Sequence, residues 1–140
     1  MAKTKQDKKL RLQPEKWKRI RFFPGYEVST KGRVRSLKRR KPCILKPQTV
    51  TRGDRKKTYL RVTLYNKGGK RHRKIHRLVA LAFKERVPGK NTVNHVDGNT
   101  HHNWVANLEW TTAVENTKHA WRTGLMARSV GARWRKRKGK

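Results

Sequence analysis

Apolar and polar residues alternate over Tyr59-Leu60-Arg61-Val62-Thr63-Leu64-Tyr65. A strand there puts Leu60, Val62 and Leu64 on one face and Tyr59, Arg61, Thr63 and Tyr65 on the other. Asn66-Lys67-Gly68-Gly69 reads as a turn. Arg71-His72-Arg73-Lys74-Ile75 follows as a return strand whose exposed face is almost wholly cationic. Two shorter runs, Tyr26-Glu27-Val28-Ser29 and Arg33-Val34-Arg35-Ser36-Leu37, flank Thr30-Lys31-Gly32 and predict a hairpin. From His76 to Phe83 the period becomes helical. Ile75, Leu78, Val79, Ala82 and Phe83 share one face, and the helix closes before Pro88-Gly89. Residues 92–110 read as two strands joined by a long loop. Thr112-Ala113-Val114-Glu115 has the form of a capping box, so a second helix is predicted from there to Thr123, stopping at Gly124.

These elements predict an α+β fold, with a hairpin-rich N-terminal region leading into a ββα unit. The chain divides into a basic arm (1–13), a β-rich region (14–70), a core containing the ββα unit (71–126) and a basic tail (127–140). Residues 38–58 are basic and irregular, with a short strand at Ile44-Leu45-Lys46, and there is no internal repeat.

Composition sharpens this outline. Only 33% of the 140 residues are hydrophobic, so the core is small, and the five tryptophans are expected to supply much of it, Trp104, Trp110 and Trp121 among them. Lys and Arg number 40 against 8 Asp and Glu, a formal charge of +32. Such an excess repels itself unless a polyanion neutralises it, which points to nucleic acid. No stretch approaches the ~20 apolar residues of a membrane span. Met1-Ala2-Lys3-Thr4-Lys5 lacks the apolar segment of a signal peptide, so the expected location is cytoplasmic and DNA-associated. The single cysteine, Cys43, has no intramolecular partner and excludes a multi-cysteine zinc site. It is expected to be a small, half-buried residue.

Candidate chemistry lies in Val93-Asn94-His95-Val96-Asp97-Gly98-Asn99, His102-Asn103, Asn107-Leu108-Glu109-Trp110 and Glu115-Asn116. Phosphodiester hydrolysis needs an activated water, charge compensation at phosphorus and help for the departing oxygen. A histidine takes protons near neutral pH, and a divalent cation serves the other two needs. A ββα unit places His95 near the end of one strand, Asn107 at the start of the next and Asn116 in the first helical turn, all able to meet at one small cleft.

These motifs resemble the HNH homing-type endonucleases common in bacteriophages. Ile75-His76-Arg77-Leu78-Val79-Ala80-Leu81-Ala82-Phe83 matches the segment leading into their nuclease core. Trp17-Lys18-Arg19-Ile20, Phe23-Pro24-Gly25-Tyr26-Glu27-Val28-Ser29 and Gly32-Arg33-Val34-Arg35-Ser36-Leu37 resemble the nuclease-associated modular motif that accompanies it. The resemblance covers residues 15–126. It implies a divalent-metal-dependent DNA endonuclease acting on double-stranded DNA in a bacterial host cell, with one Mg2+ or Mn2+ ion and products ending in 5′-phosphate and 3′-hydroxyl. His95 takes the place of the general base. Asn107 takes that of the central asparagine, which orients the histidine or supports the site. Asn116 matches the metal-binding helix residue. Asn94 stands where some members carry a metal-binding aspartate, and neutral amides hold a hard cation less strongly than a carboxylate. Asp97 is either a further ligand or the stabiliser of the turn at Gly98.

Nucleic-acid contacts are expected from Arg33, Arg35, Arg61, Arg71, Arg73, Lys74 and Arg77. His76 is placed to meet a phosphate or to cap its helix, and His119 to pack or to hydrogen-bond a phosphate. His101 and His102 are read as exposed or structural loop residues. The rival reading is a non-catalytic protein that keeps the HNH fold and binds DNA, or RNA on a ribosome.

The cationic tail generates a first prediction. Deleting residues 128–140 should weaken binding to all DNA sequences alike. The dependence of log affinity on log salt should become shallower by about 0.9 for each phosphate that the shortened chain no longer neutralises. Titrations of duplex DNA at several salt concentrations measure this; an unchanged slope with an altered sequence preference contradicts it.

Overall fold

The computed structural model describes residues 13–51 and 58–124. The basic arm, save Gln13, and the whole of the 127–140 tail lie outside the described residues, as does Trp134. The fold is α+β. Its strands are β1 (Trp17–Arg19), β2 (Tyr26–Ser29), β3 (Val34–Ser36), β4 (Cys43–Ile44), β5 (Gln48–Thr51), β6 (Thr58–Asn66), β7 (Gly69–Lys74), β8 (Thr92–His95) and β9 (Leu108–Thr111). Two α-helices, α1 (Ile75–Phe83) and α2 (Ala113–Arg122), and a 3-10 turn at Val105–Asn107 complete the described chain. Three antiparallel sheets form, ordered β1-β2-β3-β4, β5-β6-β7 and β8-β9. Among the described residues no helix is long and apolar enough to cross a membrane.

The alternation in β6 produces the expected burial. Val62 and Leu64 are buried and Leu60 packs against the core, while Tyr65 is exposed. One core crosses all three sheets. It joins Phe23, Tyr26, Val28 and Val34 to Val62 and Leu64, then to Ile75, Leu78 and Val79 of α1, and to Val93, Leu108 and Trp110. Helix α1 starts at Ile75 and buries Ile75, Leu78 and Val79 of the expected stripe together with His76 and Ala80, while Ala82 and Phe83 are only partly buried against the core.

The last described segment follows its local signals closely. The hydroxyl of Thr112 accepts from the Glu115 N–H at 3.1 Å, and the Glu115 carboxylate accepts from the Thr112 N–H at 3.0 Å. This reciprocal cap fixes the first turn of α2. Gly124 sits at φ +73° just past the Thr123 C-cap, a left-handed conformation that stops the helix.

Arg71 and Arg73 of β7 are exposed, and the register sorts the cations of β6 and β7 to two sides of the sheet. Register pairs Leu64 with Arg71 and Val62 with Arg73, but Arg61 with Lys74. Directly opposed residues project to the same side. Arg71 and Arg73 therefore share the side of the apolar residues, and Arg61 and Lys74 take the other. The Arg73 guanidinium lies 5.1 Å from the centre of the Phe23 ring and shields it. Two expectations need correction. First, the tryptophans are not the core. Trp110 is buried, Trp17 and Trp104 are half-buried, and Trp121 is 53% exposed. Valines and leucines fill the interior instead, while Trp17 lies beneath Arg35, whose guanidinium is 4.1 Å from its ring centre. Second, Cys43 is exposed rather than half-buried, because β4 is the short edge strand of its sheet.

Leu64 is fully buried where the sheets meet. Leu64→Ala should cost about 2–5 kcal/mol of stability through reduced burial and a residual cavity. The shift in urea midpoint measures it, and a cost below about 1 kcal/mol would show that the site collapses without a cavity.

Candidate active site

Strand β8 ends at His95, and its pairing sets Asn94 opposite Glu109 and His95 opposite Leu108. Both Asn94 and His95 are buried. The Asn94 amide nitrogen donates to Glu109 Oε1 at 2.9 Å. His95 is 5% exposed, and its Nε2 lies 2.9 Å from Oδ1 of the buried Asn103. An amide oxygen only accepts, so Nε2 carries the hydrogen and Nδ1 is the basic nitrogen of the neutral ring.

A second imidazole packs beside it. The His76 ring stands edge-on to His95 with centroids 5.0 Å apart, and Tyr59 lies 5.4 Å from His76. Burial, with smaller contributions from His95, Lys74 and Arg77, pushes the His76 pKa down to about 3. His76 is thus a neutral interior group. It gives α1 no side-chain cap and sits too deep for the surface phosphate contact expected of it.

Asn107 braces the loop that follows β8. Its Nδ2 donates to Asp97 Oδ1 at 2.9 Å and to the His102 carbonyl at 2.8 Å, and its Oδ1 accepts from the Asp97 N–H at 3.0 Å. The Asp97 carboxylate also accepts from the Asn99 N–H and pairs with His102. Burial opposes ionisation of Asp97, but the hydrogen bonds of His102, Asn99 and Asn107 together hold its carboxyl below the ordinary value. Both of its oxygens serve the turn.

A small cleft opens at this point, lined by Asn94, His95, Gly98, Asn116 and His119. Asn94, His95 and Asn116 thus meet at one surface, with Asn107 behind it in the supporting loop. His119, one turn along α2 from Asn116, donates from Nε2 to the Val96 carbonyl at 3.2 Å. Among the described residues no group of three or more His, Cys, Asp or Glu is arranged to hold a metal. The lining residues that carry amide oxygens are the neutral Asn94 and Asn116. Such hard oxygens fit a magnesium-like cation that keeps several waters, and they do not fit zinc.

The expected cationic contacts are distributed unevenly. Arg33 is paired with Glu15, and Arg35 with Glu27 at 2.6 Å, so both arginines brace the first sheet. Arg77 donates to the Asn91 carbonyl at 3.0 Å, close to the cleft strands. Arg71 and Arg73 are exposed on β7, and Lys74 lies 4.7 Å from the centre of the Tyr59 ring. The sequence gives no sign that Asn103 holds His95. It is one polar residue within a polar loop, and only its burial distinguishes it from its neighbours.

Similarity to known proteins extends over most of the chain. Residues 15–65 match the NUMOD4 motif. The chain is 35% identical over 111 residues to DNA endonuclease I-HmuI of Bacillus phage SP01, a match covering 79% of this chain and 60% of that protein. It is 36% identical over 110 residues to an HNH endonuclease of Acanthamoeba polyphaga mimivirus, covering 79% of this chain and 31% of the relative. A putative HNH homing endonuclease from the SPbeta prophage of Bacillus subtilis is 46% identical over 65 residues, 46% of this chain and 38% of the relative. The chain therefore spans less than two thirds of the length of these relatives. The solved structure described as DNA binding and cleavage by the HNH homing endonuclease I-HmuI aligns with a TM-score of 0.64 at 32% identity, covering 84% of this chain and 66% of that one. Motif, sequence and fold agree in their likeness to the HNH homing endonucleases.

Proposed function

We propose that this protein is a divalent-metal-dependent DNA endonuclease that hydrolyses phosphodiester bonds with His95 as general base. The observation that carries this reading is that His95, held through Nε2 by Asn103, lines one cleft together with Asn94 and Asn116. The charge of +32 supplies the affinity for a polyanion.

Asn94 and Asn116 would hold one magnesium or manganese ion, which when bound would supply positive charge against the phosphate and the departing oxygen. His95 Nδ1 takes a proton from the attacking water as its oxygen bonds to phosphorus. The bond from phosphorus to the 3′ oxygen breaks, that oxygen gains a proton from solvent, and the ends are a 5′-phosphate and a 3′-hydroxyl. Asn103 fixes the ring by accepting from Nε2–H. Because that bond strengthens as the ring becomes positively charged, Asn103 also favours the protonated state formed during the reaction. His76, kept neutral, adds no positive charge beside it. Exposed Arg71 and Arg73, with Arg61, Lys74 and Arg77, bind the backbone of double-stranded DNA.

Two tests follow. His95→Ala should lower plasmid nicking in magnesium or manganese by ~10²–10⁴ while leaving DNA binding nearly unchanged. Wild-type rates in a clean preparation of that variant would exclude His95 as base.

The second test concerns the ion. Asn94→Asp adds a charged oxygen ligand but places it against Glu109, so it is best combined with Glu109→Gln, whose amide can donate to the new carboxylate. This pair should lower the magnesium concentration for half-maximal nicking, and Asn116→Ala should raise it. Midpoints at fixed salt decide; an unmoved midpoint in the paired variant removes position 94 as a ligand. Should wild type and variants all bind DNA and none cut at any metal concentration, the protein is a binding protein with the HNH fold.

A further inference from the structure

We propose that the turn Thr30–Gly32, in the segment matching the NUMOD4 motif, is a positioning element for His95 and acts through Asn103. The inference extends the reading of His95 as the base, but its structural half stands without it.

Gly32 has φ +79°, a conformation that L side chains rarely adopt. A Cβ at this position would lie 2.8 Å from both the Cβ and the carbonyl oxygen of Asn103. The turn therefore rests directly on the Asn103 backbone, and only glycine allows the approach. A second tie lies two residues further along, where the Val105 N–H donates to the Thr30 carbonyl at 3.0 Å. The turn itself is stiff. The hydroxyl of the fully buried Ser29 accepts from the N–H groups of Lys31 at 3.2 Å and Arg33 at 3.0 Å, and the Gly32 N–H donates to the Ser29 carbonyl at 3.1 Å. Asn103 is 4% exposed and reaches His95 directly. One residue thus separates the floor of the N-terminal hairpin from the imidazole. Misplacing a reacting group by about 1 Å can cost on the order of 100-fold in rate, so a turn that sets the position of Asn103 sets the readiness of His95. The N-terminal segment is then part of the catalytic scaffold, in addition to any contact it makes with DNA.

The test compares Gly32→Ala with Gly25→Ala in the full chain. Gly25 has φ +84° in the same hairpin region, but a Cβ there meets only the flexible side chain of Lys38. The two variants carry similar backbone strain, and only one presses on Asn103. The first measurement is the tautomeric state of His95, read from its ring nitrogen resonances. Wild type and Gly25→Ala should show the Nε2–H form, and Gly32→Ala a mixture of both forms. The second is nicking at saturating DNA alongside DNA affinity. Gly32→Ala should fall roughly 100-fold in rate with its affinity unchanged, and Gly25→Ala should change in neither. Wild-type resonances and rate in Gly32→Ala would overturn the proposal, as would equal declines in both variants. If Gly32→Ala does not fold, Asn103→Ala tests the same link from the other side. It should scramble the tautomer, and Asn103→Asp, whose carboxylate also accepts from Nε2–H, should restore it. Unchanged His95 resonances in Asn103→Ala would again overturn the proposal. Wild-type protein that fails to cut removes the nuclease reading alone and leaves the resonance measurements as the test.

Discussion

Burial of Ile75, Leu78, Val79 and Ala80 on α1 is the interaction on which the rest of the molecule depends. The three sheets have four, three and two strands, and the β8-β9 ribbon is too narrow to bury a core of its own. A two-stranded ribbon is marginal in water unless a third element covers it. Helix α1 touches strands of all three sheets and so supplies that cover for each. The N-terminal hairpins and the ββα unit therefore share one interior, and a change in either reaches the other through packed side chains.

Electrostatics shape the surface around this interior. Glu15 and Glu27 hold Arg33 and Arg35, which in turn lie near the face of Trp17. Arg77 and Arg86 approach the ring of Trp110. Cations thus take a part that apolar residues play in a less basic chain, covering aromatic rings with their stems and guanidinium faces. This explains how a chain with so few hydrophobic residues still closes a core.

Much of the architecture was legible because its signals are local. The alternation in β6, the capping box at Thr112 and the stop at Gly124 each lie within a few residues, and each appears where its pattern places it. Of the three residues expected at one cleft, His95 and Asn116 line it, since a strand end and a helix start are rigid, whereas Asn107 lies behind it with its amide taken up by Asp97 and the His102 carbonyl. What was not legible depends on distant pairing. The burial of His76 against His95 and the close approach of Gly32 to Asn103 join segments far apart in the chain. The surplus of tryptophan suggested a tryptophan core because composition does not say which rings arginine covers.

The buried neutral His76 gives the molecule a weak side toward acid. An unfolded chain takes a proton at an ordinary histidine near pH 6.5, whereas the folded one resists until about 3, so stability declines as pH falls through that interval. Glu15, Asp97 and Glu115 act in the same direction at lower pH. Each is held below its ordinary value, and each loses its contribution as pH falls through the folded value. Every carboxylate neutralised also deepens the self-repulsion of a chain with 40 cationic side chains. Asp97 closes the loop behind the cleft and Glu115 caps the helix that carries Asn116. Acid thus acts on the frame of the cleft itself, and a bound polyanion opposes it by neutralising the surplus charge.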